Sequence, residues 1–68
     1  MTVNKVIRII KEHGLHVEQI APNKVISRCY GFCDYYDTLT IVNGVIYVTE
    51  AVTNDTYKTT LRAWLGYC

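Results

Sequence analysis

The chain has 68 residues, half of them hydrophobic, and its seven lysines and arginines against six aspartates and glutamates give a net charge of +1. This length allows one domain, residues 1–68. The composition excludes a disordered tail and gives no strong electrostatic argument for a nucleic-acid-binding domain or for an acidic DNA mimic. The N-terminal segment carries Lys5, Arg8 and Lys11 among its apolar residues, which is not expected of a secretory signal, and no apolar run approaches the roughly 20 residues that span a bilayer. We therefore expect a cytoplasmic protein with no membrane partner and with reduced cysteines.

A helix is predicted over residues 2–13, because apolar side chains recur on one helical face. Thr2 is placed to cap its first turn, and Gly14 stands where a left-handed residue ends many helices. The residues of the apolar face are Val3, Val6, Ile7 and Ile10.

Two short strands are predicted next, over residues 16–20 and 25–30. Pro22 would occupy the first central position of the turn between them. A regular two-residue turn would then pair Ile20 with Val25 and His16 with Cys29. The alternation of apolar residues is irregular in both strands, so the face that each presents stays open.

The strongest local signal is Asn43-Gly44 between two β-branched runs. It predicts a type I′ hairpin over residues 38–50, since both central residues of that turn need φ > 0. In this register one face is wholly aliphatic and is predicted to be core: Leu39, Ile41, Ile46 and Val48. The opposite face carries Thr38, Thr40, Val42, Val45, Tyr47 and Thr49.

A second helix is predicted to start at residues 53–55, with Thr53 or Asn54 as its cap and Asp55 in its first turn, and to fray at Gly66. Its apolar stripe consists of Tyr57, Leu61, Trp64, Leu65 and Cys68. The predicted fold class is α+β, in two layers. An antiparallel meander of three to four strands carries the N- and C-terminal helices on one face, in the order αββββα or αβββα.

One set of side chains has the mirror-image spacing of a zinc finger: His13, His16, Cys29 and Cys33. A structural role is the alternative, with His13 ending a helix and the cysteines buried as small apolar residues. The helix stripes and the aliphatic hairpin supply a core without metal. We therefore expect no cofactor, and zinc at these residues remains a minority hypothesis. With no catalytic motif and little room for a substrate pocket, we expect no enzyme activity and no catalytic residues.

Six tyrosines in 68 residues is a high number, and tyrosine is enriched at protein interfaces. The predicted partner-binding residues are Tyr35, Tyr36, Thr40, Val42, Val45 and Tyr47. We expect a protein partner, and a homodimer through the same surface stays open. Nucleic acid is not favoured, because Asp34, Asp37 and Glu50 would repel phosphates. The alternative binding surface is a basic face of the two helices: Lys5, Arg8, Lys58 and Arg62.

In size, in its lack of a catalytic motif and in its helix-framed antiparallel sheet, the chain resembles the very small inhibitors that phages and mobile elements encode against host defences, anti-CRISPR proteins among them. The resemblance is one of size and architecture over the whole chain. It implies a non-enzymatic module that occludes a host defence protein in the host cytoplasm. The alternative is a nucleic-acid-binding or zinc-dependent regulatory domain.

Overall fold

The computed structural model describes residues 1–28 and 36–66. The elements in chain order are α1 Val3–Glu12, β1 Val17–Ala21, β2 Lys24–Ser27, β3 Asp37–Val42, β4 Val45–Thr49, β5 Thr56–Thr59 and α2 Leu61–Leu65. The five strands form one antiparallel meander in sequence order. Side chains of both helices join one core with one face of this sheet, which confirms the predicted α+β class and its two layers.

The first helix forms as predicted. The Thr2 side chain accepts a hydrogen bond from the backbone N–H of Lys5 at 3.2 Å, which satisfies one donor of the first turn. Gly14 has a φ of 77°, the left-handed conformation expected after a helix end. Val6 and Ile10 are fully buried, so the apolar stripe of α1 faces the sheet.

The hairpin of β3 and β4 has the predicted register. Asn43 and Gly44 have φ values of 51° and 79°, as a type I′ turn requires. The paired residues are Thr38 with Thr49, Leu39 with Val48, Thr40 with Tyr47, Ile41 with Ile46 and Val42 with Val45. The four aliphatic residues predicted for the core face are buried.

The register predicted for β1 and β2 is correct next to the turn, where Ala21 pairs with Lys24, and is wrong by one residue from Gln19 back to Val17. The observed pairs are Val17 with Ser27, Glu18 with Ile26, Gln19 with Val25 and Ala21 with Lys24. Ile20 is the extra residue of a β-bulge and is 51% exposed, whereas the prediction paired it with Val25. The bulge also explains the irregular alternation, because it brings Val17 and Val25 to the same buried face.

The first half of the predicted second helix is wrong, because it contains a fifth strand instead. Thr53, Asn54 and Asp55 form the loop between β4 and β5, where Asn54 adopts a φ of 61°. The backbone N–H of Asn54 donates to the Glu50 carbonyl at 2.8 Å, which closes the loop. The threonines that follow favour a strand, so the sheet has five strands rather than three to four.

The second helix starts later than predicted. Thr60 is its cap, and its hydroxyl accepts from the backbone N–H of Ala63 at 3.1 Å. Leu61 and Trp64 are buried, so this part of the predicted stripe is correct. Tyr57 belongs instead to β5, where it pairs with Val48. Cys68 lies outside the described residues.

The helices cover one face of the sheet. The helix-covered face packs against the helices in a core of Val6, Ile10, Val17, Val25, Leu39, Ile41, Ile46, Val48, Leu61 and Trp64. The indole N–H of Trp64 donates to a carboxylate oxygen of Asp37 at 3.0 Å and ties α2 to β3. The opposite surface of the sheet is called the open face below.

Candidate protein-binding face

Strand alternation and the observed pairs fix the composition of the open face. Its residues form rows that run across the strands. One row is Lys24, Thr40, Tyr47 and Lys58; a second is Glu18, Ile26, Thr38, Thr49 and Thr56; a third is Val42 and Val45. The face is thus a mixture of β-branched side chains with one tyrosine near its centre and charges toward its edges.

The predicted partner-binding residues fall mostly on this one face. Thr40 is paired with Tyr47, and Val42 is paired with Val45, so these four residues are neighbours. Tyr47 is 36% exposed and Val42 is 43% exposed. Tyr35 lies outside the described residues.

Tyr36 lies just before β3 and brings together two side chains that sequence reasoning did not connect. Its ring centre is 5.9 Å from that of His16, with the rings at 78°. The Arg28 guanidinium carbon lies 5.5 Å from the Tyr36 ring centroid, a cation–π geometry. Continuing the alternation of β1, β2 and β3 places all three residues on the open face.

The bulge in β1 is the reason that the predicted register does not contain this cluster. The predicted register placed His16 opposite Cys29, whereas the observed one places His16 level with Arg28. A bulge at Ile20 could have been suspected from the irregular apolar alternation, since one extra residue restores it.

Two of the three carboxylates that were expected to repel phosphates lie off the open face. Asp37 pairs with Ser27 on the helix-covered face, and its carboxylate accepts from Trp64. Glu50 follows β4, and its carboxylate lies 3.4 Å from the Thr53 hydroxyl in the β4–β5 loop. Asp34 lies outside the described residues. Asp37 and Glu50 therefore do not weigh against an anionic partner on the open face.

The predicted basic face of the two helices is divided by the structure. Lys58 is in β5 on the open face, so the prediction that it lies on the second helix is wrong. Lys5 and Arg8 are exposed on α1, and Arg62 is exposed on α2. The Arg8 side chain lies 3.7 Å from the Glu12 carboxylate, one turn further along α1.

The minority zinc hypothesis involves two described histidines and two cysteines, Cys29 and Cys33, that lie outside the described residues. A ring nitrogen of His13 is 2.9 Å from the Ile9 carbonyl oxygen, while His16 contacts Tyr36. Within residues 1–28 and 36–66, no group of three or more His, Cys, Asp or Glu side chains could hold a metal ion.

A groove between the two helices is a second surface feature. It has a volume of about 500 Å³ and lies on the opposite side of the domain from the open face. Its lining is mainly apolar and consists of Met1, Ile9, His13, Leu61, Arg62, Leu65 and Gly66.

Comparison of the chain with protein-family models, with curated proteins and with solved structures finds no match. Among the helices of the described residues, none has the length and apolarity needed to cross a membrane. A function for this chain therefore has to be inferred from the geometry of its surfaces, and the open face carries most of the predicted partner-binding residues.

Proposed function

We propose that this chain is a small, non-enzymatic protein-binding module whose open face docks on a partner protein. The observation that carries the proposal is that, among residues 1–28 and 36–66, cover of the sheet is one-sided, since both helices pack on the same face of the five strands. The other face presents Tyr47 and Val42 to solvent. An exposed cluster of this kind is a common mark of an interaction site.

Tyr47 is the proposed anchor of the interface. It belongs to β4, which has a neighbouring strand on each side, so its position is fixed by pairing with both Thr40 and Lys58. A tyrosine supplies a large contact area with few rotatable bonds, and interface energy concentrates in such residues. The β-branched neighbours Val42 and Val45 would exclude water around it.

The proposed mode of action is occlusion. The resemblance to small phage-encoded inhibitors makes a host defence protein, such as a CRISPR-Cas effector, the partner that we propose. A flat sheet face in a domain of this size can cover a functional surface on a larger protein without any chemistry of its own.

A plaquing assay tests the inhibitor role. The full chain would be expressed in bacteria carrying defined CRISPR-Cas types that target the challenging phage. We expect wild type to restore plaquing in at least one type and Tyr47→Ala to lower that restoration at least tenfold. Arg8→Ala on α1 is the matched control and should act as wild type. Failure to restore plaquing in any type would overturn the inhibitor assignment.

Crosslinking tests protein binding separately. A photoreactive phenylalanine analogue would replace Tyr47, and in a control chain Lys5, before exposure to the same cell extract. We expect position 47, but not position 5, to crosslink to a partner. Unlabelled wild type should compete with this crosslink, and unlabelled Tyr47→Ala should not. A crosslink to a second copy of the chain would indicate a homodimer. Crosslinking from position 5 alone would move the interface to the helices.

Single-stranded nucleic acid is the second candidate partner. The observation in its favour is the row in which Tyr47 lies between Lys24 and Lys58, since bases stack on aromatic rings beside cations. A fluorescence anisotropy titration with labelled oligonucleotides at low and high salt would test it. Binding that Tyr47→Ala abolishes would support this candidate, and no binding at low salt would remove it.

A further inference from the structure

We propose that the partner of the open face is an acidic protein surface, whose carboxylates bind Lys24, Lys58 and Arg28 around the Tyr47 anchor. The inference rests on the proposed function and adds the chemistry of the partner. It comes from the distribution of charge over the two faces of the sheet.

The open face carries an excess of cations although the chain is nearly neutral. The whole chain has a net charge of +1. The open face carries Lys24, Arg28 and Lys58, all exposed, and its only carboxylate among the described residues is Glu18. The open face is therefore more basic than the chain as a whole, and a partner of opposite charge would complement it.

Two acidic residues off the open face have contacts of their own. Glu12 lies on α1 beside Arg8, and Asp37 accepts from Trp64 on the helix-covered face. Among the described residues, neither Lys24 nor Lys58 forms an ion pair with a carboxylate. Their charges remain available to a partner.

Arg28 is positioned by an aromatic contact. Its guanidinium carbon lies 5.5 Å from the ring centroid of Tyr36, which is itself in edge contact with His16. Within the described part of the chain, Arg28 has no carboxylate partner. A guanidinium held against a ring can still present its N–H fork to a carboxylate, with less side-chain entropy to lose on binding.

The three cations are widely spaced. Lys24 and Lys58 lie on β2 and β5, so they are roughly 14 Å apart, because neighbouring strands are about 4.8 Å apart. Arg28 lies four residues beyond Lys24, roughly 13 Å along the strand direction at about 3.3 Å per residue. Thr40 and Tyr47 lie between the two lysines, and Ile26 lies between Lys24 and Arg28. Val42 and Val45 lie on the other side of the row that contains the two lysines.

This spacing favours discrete carboxylates on a protein over a phosphate backbone. A nucleic acid presents closely spaced charges, and proteins that track it place their cations along a continuous groove. Of the two tyrosines that the described residues place on the open face, Tyr36 already contacts Arg28 and His16. Tyr47 is therefore the one left to stack on a base. The apolar side chains of Ile26, Val42 and Val45 on the same face instead suit a protein surface.

An NMR titration of the full chain tests the inference with defined probes. The probes are a peptide of about 12 residues that alternates glutamate with leucine and tyrosine, the same peptide with glutamine for glutamate, and an oligothymidylate of similar length. We expect the glutamate peptide to shift the amides of Lys24, Thr40, Tyr47 and Lys58 and to bind at least tenfold more tightly than the glutamine peptide.

Charge reversal supplies the matched comparison. The double variant Lys24→Glu with Lys58→Glu should bind the glutamate peptide at least tenfold more weakly. The control, Lys5→Glu with Lys11→Glu on α1, makes the same change in net charge, and its affinity for the glutamate peptide should stay within twofold of wild type. If the first pair does not fold, Lys24→Gln with Lys58→Gln replaces it. Equal affinity for the glutamate and glutamine peptides, or equal loss in both reversals, would overturn the inference.

The remaining outcomes separate the possible causes of failure. Tighter binding of the oligothymidylate, with a logarithmic salt slope of about −2 for some three phosphate contacts, would overturn the acidic-protein inference in favour of nucleic acid. If no peptide binds, but position 47 crosslinks to a partner and Tyr47→Ala does not compete with that crosslink, the inference is overturned and the proposed function stands. If no peptide binds and position 47 gives no crosslink of this kind, both the inference and the proposed function are overturned.

Discussion

The two faces of the sheet are made by the same strands but have opposite physical demands. Along β4, and along β3 from Thr38 onward, residues alternate between the two faces. One set is aliphatic and buried beneath the helices. The other set consists of Thr, Val and Tyr residues that are exposed to differing degrees. The helix-covered face must hold a 68-residue domain together, and so small a domain has little stability to spare. The open face is free of that demand, so its composition can serve contact with a partner.

The largest difference between the faces should appear when adjacent residues of β3 are truncated. Leu39 is fully buried, and we expect Leu39→Ala to lower the free energy of unfolding by about 2–5 kcal/mol through lost apolar contact and a residual cavity. Thr40 points to the open face, and Thr40→Ala should change the free energy of unfolding by less than about 0.5 kcal/mol. Urea denaturation followed by Trp64 fluorescence measures both. Equal losses would contradict the assignment of the two faces.

A second test concerns the bond that fastens the helix layer to the sheet. Asp37→Ala removes the charged acceptor that the Trp64 indole N–H uses at 3.0 Å and should cost about 1–3 kcal/mol. Asp37→Asn keeps an acceptor oxygen at the same position and should lose less than half as much. Thermal unfolding monitored by near-UV circular dichroism compares them. If Asn costs as much as Ala, the carboxylate contributes through something other than this bond.

The two hairpins differ in how far they could be predicted from the sequence. In the β3–β4 hairpin, turn chemistry and apolar alternation agree: Asn43-Gly44 fixes the turn, and every observed pair follows. In the β1–β2 hairpin, Pro22 marks the turn, but the bulge at Ile20 shifts the register, and no turn residue specifies a bulge. The Tyr36 cluster depends on that shift, so it could not be predicted.

The fifth strand could not be predicted for a different reason. Tyr57, Leu61, Trp64 and Leu65 have helical spacing, but tertiary pairing with β4 takes Tyr57 and its neighbours into the sheet. The competing local signal was the threonine content of β5, and the helical stripe outweighed it. As a consequence, Lys58 was assigned to the helix side, and the basic character of the open face was missed.

A third test separates backbone conformation from close contact at two glycines. Gly14 and Gly44 have φ values of 77° and 79°, and a Cβ at Gly44 would lie 2.9 Å from the Met1 nitrogen, while one at Gly14 would meet nothing within 4 Å. We expect each alanine to cost about 1–2 kcal/mol from the left-handed conformation alone, with Gly44→Ala the larger. Chemical denaturation of both variants measures the difference. A larger loss at Gly14 would mean that the end of the chain moves away from the turn without penalty.

Only a small effect on stability is expected at the proposed anchor. Tyr47 is 36% exposed and its cross-strand partners are Thr40 and Lys58, so Tyr47→Ala should lose only those pair contacts, less than about 1 kcal/mol. Tyr47→Phe keeps the ring and should match wild type, and Val48→Ala, one residue further on the buried face, should cost more than either. Urea denaturation of the three variants gives the order. A loss above about 2 kcal/mol for Tyr47→Ala would show that the open face also supports the fold, and a weakened interface in that variant could then no longer be attributed to lost contact with a partner.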